Sequence, residues 1–249
     1  MPSPMRPDAG HTAQLAALRT QAEPARTAAL LRLLTDGPTH AALRLVHDLL
    51  LTERRATVRD PLLARLRALD PLGILVLLGL LGADVRPHTP PLRHAILEQL
   101  ATGWARVREI LLSTLTQGDA LQQRGAILAL RTLGDQEDLA HLCPLARHPS
   151  VAVRFAVMEA LADAGDPTAL NVLTVTAEAD GSVPVRNVAA ASLVAVCRRM
   201  RLRVPYVRGE ARGSMAEAWP RRYPWHSDDA APLEAAPPPH DADAPTQAW

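Results

Sequence analysis

Apolar positions in this chain fall into short helical stripes that return about every thirty residues, and an arginine stands at the head of each. These arginines are Arg26, Arg59, Arg93, Arg124, Arg154 and Arg186, with successive spacings of 33, 34, 31, 30 and 32 residues. Four residues after each stand Leu30, Leu63, Leu97, Leu128, Met158 and Ala190, and seven after each stand Leu33, Leu66, Leu100, Arg131, Leu161 and Leu193. Offsets of four and seven share one face of an α-helix, so they predict a buried stripe in every repeat. Arg131 interrupts the stripe, and Leu130 with Leu133 is expected to carry that face. At offset two stand Ala28, Pro61, Ala95, Ala126, Ala156 and Val188, small enough in most repeats for a neighbouring helix to approach closely. Pro61 fits only if it lies in a first helical turn, where no amide hydrogen is needed.

Each stripe predicts a helix, over 24–34, 58–69, 91–101, 122–133, 151–163 and 184–199. The text between them predicts partner helices over 39–51, 71–81, 104–116, 136–146 and 167–178, with a short leading helix over 11–20. Stop and cap signals separate them: Asp36-Gly37-Pro38-Thr39, Asp70-Pro71, Gly134-Asp135 and Gly165-Asp166-Pro167. Glycine releases the last turn of one helix while Asp or Thr caps the next. The turns His148-Pro149-Ser150 and Asp180-Gly181-Ser182 are too short to do anything but reverse the chain. A two-helix unit repeating at this period is the signature of stacked helical hairpins. An all-α solenoid of five to six hairpins is therefore expected over residues 11–203. Residues 82–91 are longer and richer in proline than the other joins, so a kink is expected there.

The ends read differently. Residues 1–10 hold three prolines and predict a flexible arm. Both tyrosines and three of the four tryptophans lie at or after residue 206. Aromatic rings in a polar, proline-rich stretch are costly to leave in water, so Trp219, Tyr223 and Trp225 within 204–226 are expected either to cap the last hairpin or to dock on another protein. Residues 227–249 are mostly Ala, Pro and Asp and predict a disordered acidic tail.

The text VAVRFAVMEALADAGDPTAL, residues 151–170, resembles a HEAT repeat of the short bacterial kind also found in phycobilisome-lyase-like proteins. The likeness is closest over 122–199 and continues over 24–121 through the arginine register. It implies a right-handed α-solenoid whose second helices line a concave face. It also implies that Arg59, Arg93, Arg124, Arg154 and Arg186 tie successive hairpins by reaching an Asp at a repeat turn, Asp135 or Asp166 in the case of Arg154. No activity follows from the likeness, because the fold serves scaffolds, enzymes and adaptors alike.

Composition narrows the functional classes. Apolar residues make up 48% of the chain but aromatics only 3%, so the apolar text is Leu and Ala, which favour helices over sheet. All 27 basic residues are arginine, and a formal charge of +1 gives no bulk attraction to nucleic acid. One local basic patch stands out, Arg198, Arg199, Arg201 and Arg203, at a helix C-terminus where the macrodipole also favours cations. It supports at most weak phosphate contact, as the alternative to a protein-binding scaffold. Cys143 and Cys197 are far apart and predict buried free thiols. His40 and His47 share a helix face beside Asp48, yet nothing there completes a metal-ligand set. Nucleophile elbows, phosphate loops and HExxH spacing are absent, so no catalytic residue, metal or cofactor is expected. The run from Leu72 to Leu81 is too short to span a bilayer and predicts a fully buried helix. The expectation is a cytoplasmic, non-catalytic interaction scaffold with an unidentified protein partner.

Overall fold

The computed structural model describes residues 9–83, 90–164 and 167–202. Among them are twelve α-helices: α1 (Ala9–Thr20), α2 (Glu23–Thr35), α3 (His40–Leu50), α4 (Ala56–Arg67), α5 (Leu72–Gly82), α6 (Pro90–Ala101), α7 (Trp104–Gln117), α8 (Ala120–Leu133), α9 (Gln136–Ala140), α10 (Val151–Leu161), α11 (Pro167–Ala179) and α12 (Val183–Arg199). They form six successive hairpins, and the even-numbered second helices α2, α4, α6, α8, α10 and α12 pack on one another in chain order. The fold is an all-α solenoid. The arginine register locates every second helix to within about two residues. The leading helix starts at Ala9, two residues ahead of its expected start.

Burial follows the register. Leu30, Leu63, Met158 and Leu161 are at most 1% exposed, and Leu66, Leu100, Leu128, Leu193 and Ala190 are also buried. Leu130 is buried and Leu133 half-buried, so together they carry the face that Arg131 interrupts. The expectation fails at Leu33, which is exposed, and is met only in part at Leu97, which is half-buried. The small residues at offset two are buried from Ala95 onward, whereas Ala28 and Pro61 are exposed.

Three local departures have physical causes. Helix α4 begins at Ala56, so Pro61 lies beyond the first turn, contrary to expectation. Its ring deprives the Thr57 carbonyl of a helical partner, and the exposed position of both residues lets water supply one. The single helix expected over 136–146 is instead the five-residue α9 followed by a 3₁₀ turn, Cys143–Arg147. Pro144 brings no amide hydrogen to the Ala140 carbonyl, and the helix ends there. The expected kink falls largely on 84–89, outside the described residues.

The helices flanking that join depart from serial packing. Helix α5, all Leu, Ile, Val and Gly, packs most extensively on α8 rather than on its own partner α6. Glycines permit this crossing. A Cβ at Gly82 would collide with the Leu121 carbonyl, and one at Gly125 with the Leu78 carbonyl. Two backbones meet here without side chains between them. As a result α8 is buried on every side from Gly125 to Leu130. The expected buried helix is thus present, but its neighbour was not foreseen.

Candidate interaction surface

Two rows of polar contacts run along the stack, one at each end of the second helices. The first lies at the tight turns within hairpins. On α10, Arg154 donates to both oxygens of Asp180 at 2.7 and 3.0 Å, and to the carbonyls of His148 and Pro149 at 2.9 and 3.2 Å. Asp180 belongs to the α11–α12 turn, so the arginine joins one hairpin to the next. Hydrogen bonding from Arg154 is the main cause that holds the Asp180 carboxyl below its ordinary range, with the Ser182 amide assisting against partial burial. Arg26 makes the same forward reach from α2 to Glu53, at 2.8 Å in the α3–α4 turn. On α12, Arg186 donates at 2.6 Å to the Asp180 carbonyl of its own turn. Arg59 pairs with its neighbour Asp60 at 2.7 Å, and Arg124 reaches the Gly82 carbonyl at 3.1 Å.

The partner of Arg154 is therefore Asp180, neither Asp135 nor Asp166. The reason is geometric. Arg154 lies in the first turn of α10, beside the turn within its own hairpin, whereas Asp135 sits at the opposite end of the hairpin. Eleven residues of α10 separate those ends by about 16 Å at 1.5 Å per residue, beyond the reach of one side chain. Asp166 lies outside the described residues. Asp135 instead caps α9 through a reciprocal box with Asp138, and Asp119 caps α8 through a box with Gln122.

The second row lies at the joins between hairpins. Arg65 donates to the Leu34 carbonyl at 3.3 Å, Arg67 to the Thr102 carbonyl at 2.8 Å, Arg108 to Asp138 at 2.6 Å, and Arg131 to Asp163 at 2.7 Å. Arg199 returns from α12 to the Asp163 carbonyl at 2.7 Å. Helix C-termini offer orphan carbonyls and partial negative charge, which guanidinium groups satisfy with several donors. Sequence reasoning missed this row. Arg131, at a core-facing offset, carried the signal: an arginine there needs a carboxylate, and Asp163 stands one repeat ahead.

A polar depression forms where three hairpins meet. Glu159 projects from α10 with 16% of its side chain exposed. Burial is the main influence on its carboxyl and pushes it up, while Arg131, Arg93 and Arg124 pull it down and Asp163 pushes it up again; the net displacement is upward. The nearest nitrogen, on Arg131, is 4.0 Å away. Arg93 on α6 and Arg124 and Arg131 on α8 thus surround a carboxylate on α10 that no hairpin could surround alone.

Other groups singled out from the sequence are scattered. His47 and His11 both hydrogen-bond Asp48, at 3.0 and 2.8 Å, and tie α1 to α3; His40 is exposed and takes no part. No cluster of three or more His, Cys, Asp or Glu able to hold a metal occurs among the described residues. Cys143 and Cys197 are free thiols, Cys197 buried and Cys143 half-buried. Within the basic patch, Arg198 and Arg201 are exposed, Arg199 is engaged by Asp163, and Arg203 lies outside the described residues. The same holds for Trp219, Tyr223 and Trp225. An open cleft of about 420 Å³ lies between α5 and α7, where α5 leans towards α8. Arg106 bridges its rim to Glu109 and Asp70. No helix among the described residues is long and apolar enough to cross a membrane.

Residues 108–194 match the model of a family described as HEAT repeats. No curated protein matches the chain.

Proposed function

We propose that the chain is a non-catalytic, cytoplasmic scaffold or adaptor that binds a protein partner on the surface of its second helices. The observation behind this reading is the arginine-rimmed depression around Glu159, which exists only when α6, α8 and α10 are stacked. Arginines dominate its rim, so an acidic segment of a partner fits it best, and charge complementarity of this kind speeds and orients docking. The HEAT match over 108–194 supports the same class of function, since such repeats generally serve protein interaction. The phycobilisome-lyase-like form of the resemblance rests on the text of residues 151–170 and adds no substrate-binding residue.

Affinity capture from a native lysate with the native chain and Arg93→Glu side by side tests the surface. The expected result is a partner retained by the native chain and lost from the variant, with unchanged helicity. Equal retention by both refutes the surface. The alternative, nucleic-acid binding through Arg198, Arg199, Arg201 and Arg203, is weakened by the engagement of Arg199 with Asp163. Anisotropy with short DNA at physiological salt should give a Kd no tighter than ~10 μM, in the range of non-specific contact. Submicromolar binding would favour the alternative.

A further inference from the structure

The last hairpin repeats the geometry of its predecessors but lacks their forward partners. On α10, Arg154 caps its own turn and also takes the Asp180 carboxylate of the next hairpin. On α2, Arg26 takes Glu53 in the same forward direction. On α12, Arg186 caps its own turn through the Asp180 carbonyl, and no carboxylate approaches it from the forward side among the described residues. Nine residues after each arginine the contrast recurs. Asp163 on α10 is met by Arg199 from α12, whereas Ala195 on α12 is exposed and carries no charge. Ala191 and Val194 beside it are half-exposed, and Val183, one turn before Arg186, is 52% exposed. Ala191, Val194 and Ala195 stand three and four residues apart and so form one apolar patch on the helix surface. The forward face of α12 therefore offers a guanidinium suited to a carboxylate, beside apolar side chains suited to a ring.

We infer that residues 217–225 of this chain fold back onto the forward face of α12, the Glu217 carboxylate taking Arg186 and the Trp219 ring covering Ala191, Val194 and Ala195. Reach permits it. Arg186 lies about 24 Å back along the helix from Leu202, at 1.5 Å per residue. Residues 203–216 span up to about 46 Å when extended, at 3.3 Å per residue. Charge and pattern select the segment. Residues 205–249 hold seven carboxylates against four arginines. Glu217 and Trp219 are two apart, so in extended chain they project to the same side. Pro220 holds Trp219 extended, and Ala216 and Ala218 let the backbone lie close to the helix. Asp228 also neighbours a ring, Trp225, but at an odd spacing that sends the two to opposite sides. The segment acts as the cap that a repeat array needs at its end. This inference stands apart from the partner surface around Glu159.

Trypsin supplies the test on the full chain, because arginines lie on both sides of Glu217. Cleavage after Arg221 and Arg222, within the docked segment, should be at least tenfold slower than after Arg208 and Arg212, which precede it. Glu217→Gln and Ala195→Arg, a change at the most exposed member of the apolar patch, should each bring the two rates together. The protection should not vary with protein concentration. Equal rates in the native chain, or protection untouched by either substitution, would overturn the inference. Protection that grows with concentration would also overturn it, by assigning the face to a second copy.

Discussion

The hairpins before Trp104 and those after it build the same stack with different chemistry. In the second half, carboxylates close the joins: Asp119 and Asp135 cap helices, while Asp138 and Asp163 receive Arg108 and Arg131. In the first half, Thr39 is the one side chain that caps a helix among α2 to α5, and Arg65 and Arg67 reach backbone carbonyls at Leu34 and Thr102. A carbonyl is supplied by any residue and leaves no mark in the sequence. This difference explains why the HEAT match begins at residue 108 while the same architecture continues back to α1. What makes a repeat recognisable and what makes it pack are different properties.

The strongest way to break that comparison is to remove equivalent core leucines. Leu66 and Leu161 hold the same offset in the two halves and are both 0% exposed. Each substitution by alanine should cost ~2–5 kcal/mol in denaturant unfolding. A loss below ~0.5 kcal/mol for Leu66→Ala alone would show that the first half lacks a true repeat core. Next in size is the contact that joins the halves. Gly125→Ala forces a methyl group against the Leu78 carbonyl and should cost about 3 kcal/mol, the upper end for overpacking. A silent substitution would remove the α5–α8 crossing from the account.

The turn pairs sharpen the comparison, since they occur in both halves. Asp180→Asn and Glu53→Gln should each cost ~1–3 kcal/mol by leaving a largely buried guanidinium less well satisfied. Asp180 titrates lower in the folded chain than its ordinary 3.8, so its contribution is present above that value and is lost as pH falls through the folded one. The gap between native and Asp180→Asn thermal midpoints should therefore close in acid. A gap that persists below the folded value would mean that packing, not charge, is responsible.

The smallest effect belongs to Glu159, and its sign is opposite. Its folded carboxyl titrates above the ordinary 4.5, chiefly through burial, so the ionised form is the disfavoured one. The folded state then holds the extra proton, and stability declines as pH rises through the window above 4.5. Glu159→Gln should raise the midpoint at about pH 7 and have no such advantage in acid, where both states are protonated. The first half has the exposed Glu98 at the same offset, where Glu98→Gln should do neither. A lower midpoint for Glu159→Gln near neutral pH would show that its arginines outweigh its burial.

Most of the fold was legible because helical periodicity depends only on which residues are apolar. Leu30, Leu63, Met158 and Leu161 could be placed from spacing alone. Leu33 could not, because the first hairpin has a neighbour on one side only. The partner of Arg154 was misread because spacing gives the helix face but not the end at which a side chain sits. The depression around Glu159 was illegible for a further reason. It depends on three helices, and no local pattern records which side chains meet across hairpins. The α5–α8 crossing left faint marks in Gly82 and Gly125, but glycine also marks turns, and Gly82 was read that way.

That crossing has a mechanical consequence. A purely serial array under tension gives way one unit at a time, since each unit holds only to the next. Here Leu78 and Gly82 are spliced directly to Leu121 and Gly125, which shortcuts the intervening α6 and α7. Force applied at the two ends would peel α1–α2 and α11–α12 as separate steps. The stretch from α5 to α8 would hold as one block and then release its full length at once.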